Sequence, residues 1–420
     1  MSLNTIFEER KEHMARTPNI RVLQLARFLK PTIFVHNPSP NGPFRPSSTI
    51  SSLPSYLEKV NFLGWVKPQV KWMNWATSME AANRAVWERT GIHDVVMDSM
   101  LNIPKNKKLV LFFAEKWAPE TNTFVFPWGE ITITLEDMMV LGGFPVLGEP
   151  VFRHVESTED QETYNKLNKA YIKMVRTSAK KATFSAWMDK FMGRKKALEH
   201  EAFLVLWLSK YLFPSIKNTI LTDTFDLAIH LARGRRIALA PAVLAAVYRD
   251  LHVLKNAIMD LQHGEKLLHE IYSPMYYLQV WVWERFPSLR CRDISDGSAQ
   301  ANQTRLVRWA DPKHKGINYC TLESVIRAED FVWQPYLNDT NHFISREIYK
   351  ENWTLESIRE GGYNEEVDSF ARCLRVLKLV GLDITQRYFP HRVSKQFGYD
   401  QDIPGDVMQP ENKEDSVVES

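Results

Sequence analysis

The stretch TFVFPWGEITITLEDMMVLGGFPVLGEPV, residues 123–151, contains most of the signals needed to assign this chain a fold. TFVF and ITIT are β-branched and aromatic, which suits strands. PWGE between them is turn chemistry, with Gly129 free to take positive φ, so a β-hairpin is expected near 123–134. Thr134 then precedes Leu135, Glu136 and Asp137 in a capping-box pattern. The threonine oxygen can accept from a first-turn amide while Asp137 reaches back, an arrangement worth about 1 kcal/mol. The helix LEDMMVL is expected to stop at Gly142-Gly143, and Pro145 prevents its continuation. Two readings exist for Glu130, Glu136 and Asp137. They could supply acid–base or metal chemistry, or they could cap a helix and complement its dipole. No histidine and no second carboxylate cluster lies nearby in sequence, so the capping reading is preferred.

Outward from this stretch the helical signal dominates. SMEAANRAVWERTG places Ala82, Val86 and Trp87 on one expected face and ends at Gly91. HEAFLVLWLSKYLF (200–213) is apolar all round, as a buried helix would be. Segments 224–234, 240–254 and 276–286 continue the pattern, the last bringing Tyr276, Tyr277, Trp281, Trp283 and Phe286 together. Val367, Phe370, Ala371, Leu374 and Leu377 predict a late helix stopped by Gly381. The fold class is therefore mainly α, a multi-helix globular domain with a small hairpin. Residues 31–54 hold six prolines and read as a linker, so 1–60 is expected to be an N-terminal extension and 61–405 the domain. A polar loop is expected at 288–317 and an acidic tail at 406–420.

The totals narrow the function. A formal charge of +3 over 420 residues is too small to make the whole chain a nucleic-acid binder. Three cysteines with no zinc-ligand spacing suit a reducing compartment. The opening residues are charged where a secretory signal needs an apolar stretch. The longest uncharged apolar run, 237–248, has 12 residues and contains Pro241, too short to span a bilayer. A soluble intracellular protein is the expectation.

The segment EKWAPETNTFVFPWGEITITLEDMMVLGGFPVLGEPV resembles the plant mobile domain, the family of MAIN-like proteins, also labelled aminotransferase-like. FLVLWLSKYLFPS (203–215), LAPAVLAAVYRDL (239–251), LQVWVWERFP (278–287), FVWQPY (331–336) and YFPHRVSKQFGYDQDIPG (388–405) follow in the family's order. Asn122 stands where the family usually has histidine, and Gly143-Phe144 where leucine is common. The resemblance implies a nuclear plant protein, related to transposon-borne domains, acting in transposon silencing, gene expression and meristem maintenance. It also implies a Ser/Thr phosphatase-like partner, and it carries no catalytic residues with it.

The residues give an aminotransferase little support. Glycine is about 4% of the chain, against a typical ~7%, and no Gly-rich phosphate cradle occurs. His263 and His269, with five residues between them, would lie on different helix faces. Asp223, Asp226 and Asp250 could serve a metal-dependent strand-transfer site, but nothing in the sequence selects them. No enzyme, cofactor or metal is expected. The positive feature is 172–196, which holds Lys173, Arg176, Lys180, Lys181, Lys190, Arg194, Lys195 and Lys196 against one acid. Phe184, Trp187 and Phe191 interleave with them at helical spacing. This segment is a candidate contact for nucleic acid or a partner, or a solvated face over a core-facing aromatic stripe. The preferred function is a non-catalytic nuclear interaction module. The alternative is a transposon-derived nucleic-acid-binding protein using that basic face.

Overall fold

The computed structural model describes residues 7–17, 20–30, 59–177, 180–193, 198–214, 219–262, 269–290, 303–310, 322, 326–337 and 365–401. The chain is mainly α, and its sheets have only two or three strands. In the opening stretch, β5 (Thr123–Phe126) and β6 (Gly129–Ile131) form the expected hairpin, with Phe126 opposite Gly129. Gly129 takes φ 139°, a conformation a side chain would resist. β4 (Trp117–Ala118) adds a third strand. The helix α4 (Leu135–Gly142) begins with the complete Thr134–Asp137 capping box and ends on left-handed Gly143.

Helices surround this unit. In α1 (Val70–Thr90), Trp72, Trp75, Ala76, Met79 and Trp87 face inward. Ala82, expected on that face, is exposed instead. The seam set by the tryptophans lies one position away, at 79, 83 and 86–87, so the bulky side chains and not the alanines fix the helix rotation. Trp72 stacks on Phe203 at 4.8 Å and 2°, Trp87 stacks on it at 5.4 Å, and Trp75 meets its edge at 5.2 Å. Phe203 belongs to α7 (Glu199–Trp207), buried on all sides as its sequence predicts. The single helix expected over 200–213 changes at Leu208 into one π-helical turn, Leu208–Leu212. After α8 (Phe225–Ala232), the 24-residue α9 (Leu239–Gln262) packs against α3 (Lys107–Glu115) and α4. Next comes α10 (Tyr276–Arg285), which also packs on α4.

The C-terminal part departs from its reading. α11 (Glu365–Cys373) ends before Leu377, and Leu377–Val380 is the strand β8, paired with β9 (Thr385–Tyr388). Gly381 sits in the turn between them, donating to Ile384 O at 2.7 Å, and does not stop a helix. The polar span 288–317 contains residues that return to the core, since Leu306 and Trp309 are fully buried. Within the N-terminal 60 residues, β1 (Phe7–Thr17) and β2 (Ile20–Leu29) form a hairpin. Arg27 N donates to Asp400 Oδ2 at 2.8 Å, Asp400 N donates to Arg27 O at 2.8 Å, and Leu29 joins the core. The proline-rich stretch 31–54 and the acidic tail lie outside the described residues.

One buried contact makes the fold sensitive to acid. Trp87 Nε1 donates to His200 Nε2 at 2.9 Å, which requires a neutral ring. Burial, helped by the Arg233 charge, lowers the His200 pKa from 6.5 to about 4. Burial likewise brings His391 down to about 4. The unfolded chain therefore binds more protons between these values, so the stabilisation is complete above pH 6.5 and is lost as pH falls towards 4. Thermal melts over that range should show a falling Tm. The fall should be shallower in His200→Gln, whose Oε1 can still accept from Trp87; equal slopes would remove His200 from this account.

Candidate functional site

Asp137 is 0% exposed, and its carboxylate accepts hydrogen bonds on both oxygens. Oδ2 takes Thr134 N at 2.8 Å and Thr134 Oγ1 at 2.7 Å. Oδ1 takes Arg285 Nη2 at 2.8 Å and Tyr336 OH at 2.6 Å. Arg285 is itself 0% exposed, at the end of α10, and its Nη1 donates to Trp333 O at 2.6 Å. Burial, with the Asp137 charge beside it, holds the Tyr336 hydroxyl protonated, well above its usual range. This carboxylate links α4, α10 and the 331–336 segment.

Glu130, read with the others as a capping acid, is instead committed to distant partners. Arg392 grips Glu130 with two nitrogens, Nε at 2.8 Å and Nη2 at 2.6 Å, and Thr123 Oγ1 adds a third donor at 2.9 Å. Gln396 then acts as a strand substitute. Its Oε1 accepts from Thr132 N, and its Nε2 donates to Thr132 O, both at 2.8 Å. Glu136 is buried, 1% exposed. Further along, Glu284 receives Arg305 Nη1 at 2.6 Å and Trp309 Nε1 at 3.0 Å, which draws 303–310 inward. Sequence reading found the acids but missed Arg285, Tyr336, Arg392 and Gln396. A run of acids inside a buried motif was the available signal, because each such charge needs a distant partner.

The three aspartates considered for metal chemistry do not act together. Asp250 accepts from Tyr272 N at 2.8 Å, Ser273 N at 2.6 Å and Arg249 Nε at 2.8 Å. Asp226 meets His154 Nδ1 at 2.8 Å. Asp223 is exposed. His263 is outside the described residues. Among the described residues no group of three or more His, Cys, Asp or Glu is placed to hold a metal ion. Beside Asp250 lies an open pocket of about 450 Å³, walled by Leu212, Phe213, Ile220 and Ile384, with Asp223, Arg249, Ser273 and Asp383 also lining it.

The basic segment divides between two helices. Lys173 is exposed on the last turn of α5 (Thr158–Val175), Arg176 follows it, and Lys180 and Lys181 are exposed in the connection to α6 (Phe184–Phe191). Lys190 is half-buried on α6, with Nζ 5.8 Å from the Phe191 ring centroid. Arg194, Lys195 and Lys196 lie outside the described residues. Phe184, Trp187 and Phe191 are all buried, so these rings pack into the core and offer no stacking platform.

A mainly helical domain locked around a hairpin–helix motif is the class of protein that this geometry defines. The chain matches the plant mobile domain over residues 91–420 and belongs to that family. It is similar to Protein MAINTENANCE OF MERISTEMS of Arabidopsis thaliana, 25% identical over 74% of this chain and 61% of that protein. It is also similar to Protein MAIN-LIKE 2 of the same plant, 26% identical over 73% of this chain and 44% of that protein. A third relative, Serine/threonine-protein phosphatase 7 long form homolog of A. thaliana, is 24% identical over 70% of this chain and 22% of its own length. The chain thus spans less than two thirds of each of these relatives. No solved structure matches it.

Replacing Arg285 by Met strands the Asp137 charge in the core and should cost about 3–5 kcal/mol. Thr134→Ala should cost about 1–2 kcal/mol, the range of a lost cap. Urea unfolding midpoints check both. A loss below about 1 kcal/mol for Arg285→Met would show that the pair does not hold the domain together.

Proposed function

We propose that this chain is a non-catalytic interaction module of MAIN-like type, acting in the nucleus in transposon silencing, gene expression and meristem maintenance through a phosphatase-like protein partner. The observation that carries this reading is the match to a protein named as a Ser/Thr phosphatase homologue. Seventy per cent of this chain corresponds to 22% of that polypeptide, so a module of this kind stands there beside other sequence. A domain covalently joined to other sequence in a relative points to the class of protein it works beside. The geometry supports a scaffold role, because the acids of the motif that carries the resemblance are tied to Arg285, Arg392 and Thr134. Affinity purification of the tagged chain from plant nuclei, followed by mass spectrometry, should recover a phosphatase-like protein in stoichiometric amount. A clean purification without one would overturn the reading.

The exposed cluster Lys173, Arg176, Lys180 and Lys181 favours a second reading, direct contact with nucleic-acid phosphates. These side chains sit on a helix end and a turn, so reversing them to Glu should leave the melting curve unchanged. Under this reading a labelled DNA or RNA duplex binds at low salt, its affinity falls steeply as salt rises, and the reversal abolishes it. No binding at low salt would eliminate it.

A further inference from the structure

We infer that the pocket beside Asp250 is a docking site for a basic peptide segment of a partner protein, one that inserts an arginine or lysine. This inference rests on the interaction-module reading and adds the chemistry of the partner. The cavity of about 450 Å³ holds more than one side chain, as a short segment of chain requires.

The charge balance selects the sign of the guest. Arg249 is paired with Asp250, which is 1% exposed and also saturated by two backbone amides. Among the described residues Asp223 receives only a long bond from Thr222 Oγ1, at 3.3 Å. Asp223 and Asp383 are exposed where they line the pocket, and neither has an ion-pair partner among the described residues. Among the described residues, two carboxylates without an ion-pair partner therefore remain after the Arg249–Asp250 pair is discounted. An anionic guest would meet repulsion there, and a cationic one attraction.

A second and independent feature points to a peptide. Ser273 lines the same pocket, is 1% exposed, and its Oγ has no hydrogen-bond partner among the described residues. A buried hydroxyl without a partner is costly unless a guest supplies one. Its O–H can donate to a backbone carbonyl, a group that a peptide has and a simple ammonium ion lacks. The apolar wall completes the fit, because Leu212, Phe213, Ile220 and Ile384 can pack against the methylene stem of Arg or Lys and an adjacent apolar residue. Ala242 and Ala246, one turn apart on α9, also line the pocket with little side-chain bulk.

The test is calorimetric titration of the full chain with the capped peptide Gly-Leu-Arg-Leu-Gly, its Lys and Glu counterparts, and agmatine. The Arg and Lys peptides should bind, the Glu peptide should not, and agmatine should bind more weakly than the Arg peptide. Asp223→Asn with Asp383→Asn should weaken the Arg peptide at least about tenfold, and added salt should weaken it further. Ser273→Ala should weaken the peptides and leave agmatine unchanged. Ala246→Phe, with its fold checked by circular dichroism, should block all of them. No binding of the Arg peptide at about 1 mM, equal binding of the Glu peptide, or full affinity in the Asn variant would overturn the site. Agmatine binding equal to that of the peptide would overturn the peptide assignment. Peptide binding in vitro fails or succeeds independently of the phosphatase-like partner, whose absence only the nuclear purification reads.

Discussion

A carboxylate at 0% exposure is the constraint on which the rest of this domain depends. Asp137 caps its own helix through Thr134, and that cap would be equally good on a solvated helix. Sealed in the core, its charge requires a cation and further donors, and the chain supplies them from 148 and 199 residues away, as Arg285 and Tyr336. Removing two charges from water carries a large penalty, so the pair adds little net stability compared with an apolar core. Its effect is on uniqueness: any arrangement that buries α4 without bringing up the end of α10 leaves a naked charge inside. That three-way closure involving Tyr336 OH and Trp333 O also covers the hairpin tip, where Phe331 and Trp333 lie against Trp128.

The same logic recurs at shorter range along the motif. Glu130 draws in Arg392, and the buried backbone edge at Thr132 is finished by the Gln396 amide instead of another strand. Asn122 shows how compactly this is done. Held at φ 55°, it donates from Nδ2 to Arg387 O and accepts His252 Nε2 at 2.7 Å, linking the hairpin to β9 and α9. Burial lowers the His252 pKa, which keeps the ring neutral and suited to that single donation. The stretch that carries the family resemblance is therefore the stretch to which the later segments are hydrogen-bonded. Its acids are legible as a pattern because they are needed by the fold.

What the sequence reveals is local. The capping box, the glycine stops at Gly91 and Gly143 and the all-round apolar α7 follow from spacing and residue type within a few turns, and each is present as read. Failures begin where a distant contact outweighs the local pattern. Ala82 fits the helical spacing, but three tryptophans packing around Phe203 set the rotation of α1 and leave it outside. Leu377 fits a helix by periodicity, yet pairing with Tyr388 makes it a strand residue. Residues 303–310 have the surroundings of a loop, but Glu284 draws Arg305 and Trp309 into the core. The pocket escaped reading for the same reason, since Asp223, Arg249, Ser273 and Asp383 come from four separate segments, and one acid among 50 carries no mark of its neighbours.

The frame and the pocket meet on α9, which serves them with different faces. Tyr248, His252 and Lys255 form one row: Tyr248 OH donates to Ile133 O at 2.7 Å, His252 holds Asn122, and Lys255 Nζ reaches Glu115 O at 2.7 Å. Ala242, Ala246 and Arg249 form another row, turned towards the pocket. With 3.6 residues per turn these two rows cannot coincide, so anchoring the first fixes the direction of the second. The small residues under the pocket are thereby held by the longest described helix, itself fastened to the motif at three points. A recognition surface built on such a rod is positioned before any partner arrives, and binding does not have to supply the ordering of that wall. Rigidity that originates at Asp137 is in this way transmitted to the wall of the pocket that Asp223 and Asp383 line.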